Sequence, residues 1–261
     1  MKTRYFIFCS LVLLSLLFTA CEYDNYSAPD CFLTGKVTYN GKPYVFDGNT
    51  NVLRVYQKGF GKTDNGVSIR ISEDGSFSQL LFPGKYYMTL ANQQYPFQFA
   101  DFTSLGAGLG YDTLEFDIDS NKEMEFEVIP YYLIDSVTYL PLDETSTTLN
   151  VTVYFRRNPD SRLPEELPKV QRAFVFAGIN EHINSATLLT KASRPLSVTD
   201  IGDVTMRLEL NKYRSSTYYV NNYRDFMYFR VGLALDAEYV ASGYYIFSDL
   251  YRVENVPYVN E

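Results

Sequence analysis

An all-β fold built from two β-sandwiches is what this sequence of 261 residues predicts. Three observations predict it. Short runs alternate apolar and polar residues, they are separated by Gly, Asn, Asp and Pro, and tight-turn pairs such as Asn40-Gly41 and Asp74-Gly75 fall between them. Alternation sends successive side chains to opposite faces, so each run offers one face to a core and one to water.

The chain begins with Lys2 and Arg4 followed by a nearly unbroken apolar run, Tyr5 to Phe18. A spanning helix needs about 20 apolar residues, so residues 1–20 read as a signal peptide. Leu17-Phe18-Thr19-Ala20-Cys21 resembles the lipobox of bacterial lipoproteins and departs from it at Phe18, where leucine is usual. The resemblance implies cleavage before Cys21 and diacylglycerol on its thiol; the alternative is an ordinary secretory leader cut nearby. Residues 21–31 form a tether. Its acidic start, Glu22 to Tyr26, looks like the surface-export signal of Bacteroidota lipoproteins, which places the expected address at the outer membrane's cell surface. A merely solvated tether facing the periplasm is the alternative.

Residues 32–130 carry the first sandwich. Leu33, Gly35, Val37 and Tyr39 share a face, and Asn40-Gly41 supplies the positive φ of a tight turn. Strands follow at Val52 to Val55 and at Val67, Ile69 and Ile71. Glu73-Asp74-Gly75 turns the chain into Phe77, and Phe82-Pro83-Gly84 breaks before Tyr86 to Leu90. Tyr95 to Tyr111, aromatic and glycine-rich, reads as a long loop. Leu114, Phe116 and Ile118, then Phe126, Val128 and Pro130, resume strands.

Residues 131–261 carry the second sandwich. Strands are expected at Tyr131 to Asp135, Leu149 to Phe155, Arg172 to Ile179, Val204 to Leu210 and Phe226 to Leu235, with a proline-bearing connection over Asn158 to Lys169. A short helix is predicted within Asn180 to Ala192, where Ile183, Ala186, Thr187 and Leu188 share a face.

Leu33-Thr34-Gly35-Lys36-Val37, Asn40-Gly41-Lys42-Pro43, Asp74-Gly75-Ser76-Phe77 and Leu81-Phe82-Pro83-Gly84-Lys85-Tyr86 together resemble the carboxypeptidase-regulatory or transthyretin-like sandwich. Tyr228 to Leu235 is similar to the F strand of fibronectin-type and immunoglobulin-like (Ig-like) sandwiches; a jelly roll is the alternative. With the lipobox and tether, the whole chain resembles an uncharacterised family of two-domain Bacteroidota surface lipoproteins. That resemblance implies an association with glycan-uptake systems of the SusC/SusD type and brings no catalytic residues.

Cleavage at Cys21 removes Lys2 and Arg4 and takes the formal charge from −8 to −10. No Lys/Arg cluster accompanies this charge, so nucleic acid is not an expected partner. Of three cysteines, Cys9 leaves with the leader and Cys21 is lipidated, so Cys31 has no disulfide partner. His182 is the only histidine, no Gly-x-Ser-x-Gly elbow is present, and one histidine with one thiol cannot build a zinc site. No catalytic residue, metal or cofactor is therefore expected. Gly61-Lys62-Thr63 fails as a phosphate loop because Tyr56 stands where glycine is required. Asp117, Asp119 and Asn121 begin like a calcium loop, but Lys122 and Val128 occupy its glycine and glutamate positions. Asp112-Thr113-Leu114 and Asp135-Ser136-Val137 resemble the short O-glycosylation motif of Bacteroidota secreted proteins.

The chain has 24 Tyr and 19 Phe with no Trp. Tyrosine offers a flat apolar face to a sugar ring and a hydroxyl that stays wet. The densest cluster is Tyr218, Tyr219, Asn221, Asn222 and Tyr223, the expected ligand-binding residues, with asparagine amides beside the rings. The alternative is that these rings line strand faces, since aromatics are good strand formers. The functional expectation is a non-catalytic outer-membrane lipoprotein that binds a polysaccharide or serves an uptake complex. A structural or adhesive subunit that binds protein partners is the second expectation.

Overall fold

The computed structural model describes residues 28–48, 50–59, 66–91, 95–103, 112–196, 202–240 and 243–257. The expected leader over residues 1–20, Cys21, Gly61-Lys62-Thr63 and the glycine-rich stretch 105–110 lie outside the described residues.

Strands β1 (Cys31–Tyr39), β2 (Lys42–Pro43), β3 (Thr50–Gln57), β4 (Val67–Ile71), β5 (Ser76–Leu81), β6 (Gly84–Leu90), β7 (Phe97–Phe99), β8 (Leu114–Ile118) and β9 (Lys122–Pro130) form one sheet. Its order is β7-β9-β1-β5-β4-β3-β6-β8, with β2 attached to β1. β4 and β5 are joined by the single pair Ile71 and Phe77. One core draws Leu33 and Val37 from β1, Leu53 and Val55 from β3, and Phe126 from β9, so the sheet folds over on itself at that narrow joint.

Sequence chemistry explains the joints. Asn40 and Gly41 adopt φ of 50° and 71° and close the β1–β2 hairpin. Gly75 at φ 77° turns the chain into β5, with Asp74 accepting from the Ser76 N–H at 3.0 Å. Gly35 lies where β1 runs parallel to β9, and a Cβ there would stand 1.8 Å from the Met124 carbonyl oxygen. Cys31 is buried in this core, its thiol 3.4 Å from Asp30 Oδ1, and burial pushes the thiol pKa up.

Two further sheets follow. β10 (Tyr132–Tyr139), β11 (Thr148–Arg157) and β14 (Gly202–Glu209) pair in the order β10-β11-β14. β12 (Val170–Gly178), β13 (Thr190–Pro195), β15 (Phe226–Leu235) and β16 (Ile246–Phe247) pair as β13-β12-β15-β16, and β17 (Tyr251–Glu254) also joins β15. Named by chain order, the partition is A-B-E against C′-C-F-G, an Ig-like arrangement of the fibronectin kind, with β15 in the F position. A jelly roll of two Greek keys does not partition this way. Leu149, Val151, Val153 and Phe155 from one sheet meet Val175, Phe229, Val231 and Leu233 from the other in a single core.

Two expectations are corrected. Residues 180–192 form no helix: the Asn184 side-chain oxygen accepts from the N–H groups of Ala186 and Thr187, and Thr187 Oγ1 donates to the His182 carbonyl. This turn chemistry competes with a helix and delivers the chain to β13. The 95–111 segment is not all loop, because β7 pairs with β9 and Tyr95, Phe97, Phe99 and Phe102 are buried in edge-on and stacked contacts. Among the described residues two short helices form, α1 (Leu210–Arg214) and α2 (Thr217–Asn221), both between β14 and β15.

Candidate functional site

The two sheet systems are joined by polar contacts around one buried arginine. Arg230, on β15, is 4% exposed and pairs through Nη2 with Glu73 of the β4–β5 turn. Its guanidinium stands 5.4 Å from the Phe247 ring centre. Burial lowers its pKa, and the carboxylates of Glu73, Asp47 and Asp249 oppose that shift. Arg230 Nε and Nη1 are buried without a partner among the described residues. Asp47 accepts from the Ser185 N–H at 2.7 Å and from the Ser185 hydroxyl. The joint also holds Asn158, which donates to the Pro130 carbonyl at 2.8 Å and to the Tyr39 hydroxyl at 3.2 Å, and Arg162, which forks onto Glu127 at 3.0 and 3.2 Å.

Beside this joint opens a cleft of about 300 Å³, walled by the β1–β2 region on one side and by β10 and the β16–β17 connection on the other. That volume is at the lower end for small-molecule sites, which favour such junctions. Tyr44, Tyr132 and Tyr251 line it. Tyr44 is 8% exposed, and its hydroxyl is sealed from solvent with no partner among the described residues. Neither Tyr132 nor Tyr251 makes a hydroxyl hydrogen bond within the described residues. Burial raises the pKa of all three, so they remain protonated donors at neutral pH. Ser248 is already engaged, accepting from the Val231 N–H and donating to the Asp249 carbonyl.

Of the charged lining residues, Asp135 is paired with Arg156 at 2.7 Å, whereas Asp249 and Lys42 form no ion pair among the described residues. The cleft thus presents hydroxyls, Lys42, and the exposed Asp249 carboxylate, which acts on Arg230 without forming an ion pair among the described residues.

The predicted cluster is split by its local geometry. Successive residues of α2 point about 100° apart around the helix, so its tyrosines cannot share one face. Tyr219 is fully buried, packed at 4.8 Å on Tyr213, and its hydroxyl donates to the Pro257 carbonyl at 3.1 Å. It is a core residue, and its assignment as a ligand contact is withdrawn. Tyr223 is partly exposed but donates to the Val256 carbonyl, and Asn222 Nδ2 is bonded to the Tyr218 carbonyl at the helix end. Tyr218 and Asn221 remain at the surface.

The cleft escaped the sequence reading because its walls come from residues 39–45, 130–136 and 246–251. Only their meeting makes a site.

His182 has an 80% exposed side chain with Nδ1 3.6 Å from Glu73, and no serine hydroxyl bonds to it among the described residues. Asp117 lies 4.0 Å from Lys85, and Asn121 Oδ1 accepts from the Phe32 N–H. Among the described residues no three His, Cys, Asp or Glu side chains group as metal ligands do.

Fold and site together define an all-β protein of two joined sandwich systems with a polar, ligand-sized cleft at their junction. Residues 31–129 match the family model of the DUF3823 N-terminal domain, from a protein family of unknown function. Solved structures extend the likeness over the chain. A DUF3823 family protein from Parabacteroides merdae is 22% identical, covering 87% of this chain and 100% of its own, with a TM-score of 0.60. A DUF3823 family protein from Bacteroides uniformis is 17% identical, covering 87% and 99%, at 0.62. A proposed carbohydrate binding protein from Bacteroides uniformis is 16% identical, covering 87% and 100%, at 0.59. At these identities the likeness establishes the fold. The expected resemblance to an uncharacterised Bacteroidota family agrees with these matches. No curated protein matches the chain.

Proposed function

We propose that this chain is a non-catalytic lipoprotein, anchored through Cys21 at the outer-membrane surface, which binds a glycan in the junction cleft and serves a polysaccharide-uptake system. The observation that carries the binding role is the pair of Tyr132 and Tyr251 hydroxyls, on the lining of a cleft of about 300 Å³ and without a partner among the described residues. Cleft-wall hydroxyls that bond nothing among the described residues are free to donate to and accept from a ligand that is itself rich in hydroxyls. The similar fold of a proposed carbohydrate binding protein supports the same reading. The anchor and address rest on the leader and the acidic tether.

The test is a glycan array probed with the full-length chain in detergent, beside a Tyr132→Phe/Tyr251→Phe double variant. A saccharide hit weakened about tenfold in the variant, the size expected for two lost hydrogen bonds, supports the reading. A hit of equal strength in both proteins removes the cleft from it. Release of a Cys21→Ser variant from the membrane fraction tests the anchor.

A second reading, a subunit that binds protein partners, draws on Tyr218 and Val220 of α2, apolar side chains that are 49% and 45% exposed.

A further inference from the structure

Resting on the glycan reading, we propose that the cleft selects neutral saccharides and holds them through Asp249 and the tyrosine hydroxyls, not by stacking on aromatic faces. The charges decide the class. Uronate carboxylates and sulfates are best bound by the forked guanidinium of arginine, and no arginine lines the cleft. Arg156 is held by Asp135, and Arg230, behind Phe247, is held by Glu73 with Asp47 near it. Among the described residues Lys42 is the one cation of the lining, set against Asp135 and Asp249. An anionic sugar entering here meets at least as much negative charge as positive, on a chain whose formal charge is already −8.

The same groups fit a neutral pyranose. Two neighbouring ring hydroxyls can donate to the two oxygens of one carboxylate, and Asp249 is exposed and without an ion pair to compete for them. Charge-assisted hydrogen bonds of this kind are about twice as strong as neutral ones. Lys42 and the hydroxyls of Tyr132 and Tyr251 supply the donors that sugar oxygens need. The ring faces are less available. Tyr251 is stacked on Phe229 at 5.2 Å and meets Tyr139 at 6.2 Å, while Tyr44 is packed against Phe46 and Phe97 at 5.1 and 5.2 Å.

The experiment titrates the full-length chain in detergent with two panels. One holds neutral gluco-, manno-, galacto- and xylo-oligosaccharides; the other holds oligogalacturonate and sulfated glycosaminoglycan fragments. Each is measured at low and high salt, with Asp249→Asn and Tyr218→Ala variants in parallel. The expected result is binding within the neutral panel, unchanged by salt, weakened tenfold or more by Asp249→Asn and untouched by Tyr218→Ala. Salt-sensitive binding confined to the anionic panel, and strengthened by Asp249→Asn, overturns the ligand class while leaving a glycan-binding protein. Neutral binding lost in Tyr218→Ala and kept in Asp249→Asn overturns the site. Binding to neither panel overturns this inference and the glycan reading together.

Discussion

The cleft and the α2 segment are both rich in tyrosine, yet their hydroxyls have opposite fates. In and after α2, Tyr219 and Tyr223 donate to the carbonyls of Pro257 and Val256, fastening the end of the chain to the second core. In the cleft, Tyr44, Tyr132 and Tyr251 donate to no atom of the described residues. Density of tyrosine therefore does not mark a binding surface, and an unused hydroxyl does so only where it is open to a cleft, since the Tyr213 hydroxyl is sealed in the second core without a partner among the described residues. A hydroxyl bonded to backbone stabilises the fold, and one both unused and accessible is available to a ligand.

The largest effect that sharpens this contrast is expected for Tyr219→Ala. Emptying a fully buried aromatic site costs about 3–5 kcal/mol, which chemical denaturation will register as a lowered midpoint. An unchanged midpoint would return Tyr219 to the surface and break the comparison. Next is Arg230→Ala, which leaves Glu73 and Asp47 facing each other at the joint without their cation. Removing one partner of a buried pair costs about 3 kcal/mol or somewhat more. Because the joint sets the distance between the cleft walls, glycan affinity is expected to fall with stability.

A smaller pair of changes separates the two tyrosine classes directly. Tyr223→Phe deletes a hydrogen bond and should cost about 1 kcal/mol with glycan binding intact. Tyr132→Phe deletes a hydroxyl that bonds nothing among the described residues, so stability should hold within about 0.5 kcal/mol while glycan binding weakens. Equal stability losses in both would show that the cleft hydroxyl has a protein partner after all.

The smallest expected effect is a pH dependence at the joint. Desolvation raises the Asp47 pKa, against the hydrogen bonds of Ser185 and the charge of Arg230. The folded chain therefore takes up this proton before the unfolded chain does. Asp47 adds stability as pH falls from above its raised folded pKa towards the unfolded value of about 3.9. Asp74 and Asp160 act in the opposite sense. Hydrogen bonds from Ser76 and Arg162 hold them below the carboxylate range, and their contributions are lost as pH falls through their folded pKa values. The Tm difference between the parent chain and Asp47→Asn isolates the first effect: the parent should gain on the variant as pH falls. A constant difference would remove Asp47 from the titrating groups.

Much of the strand layout was legible because its causes are local. Leu149 to Phe155 and Val67 to Ile71 alternate, and β11 and β4 lie over those residues. Asn40-Gly41 and Asp74-Gly75 carry the positive φ values their types permit. The misses share a different cause. β7 has three residues, too few for a period to show, and it exists because β9 offers an edge. β13 follows a turn whose Asn184 and Thr187 bonds override the apolar spacing of Ile183 and Leu188. Tyr219 was misplaced because the residues around it read as a surface cluster until the α2 helix turned that ring inward.

Period, turn chemistry and charge balance, which depend on neighbouring residues, were determined by the sequence alone: an acidic, β-rich chain with tight turns at named pairs. Tertiary structure alone decided which tyrosines are satisfied and where a ligand can lie. A hydroxyl's partner can stand far away in sequence, as Pro257 does from Tyr219, and the cleft exists only where residues 39–45, 130–136 and 246–251 are brought together.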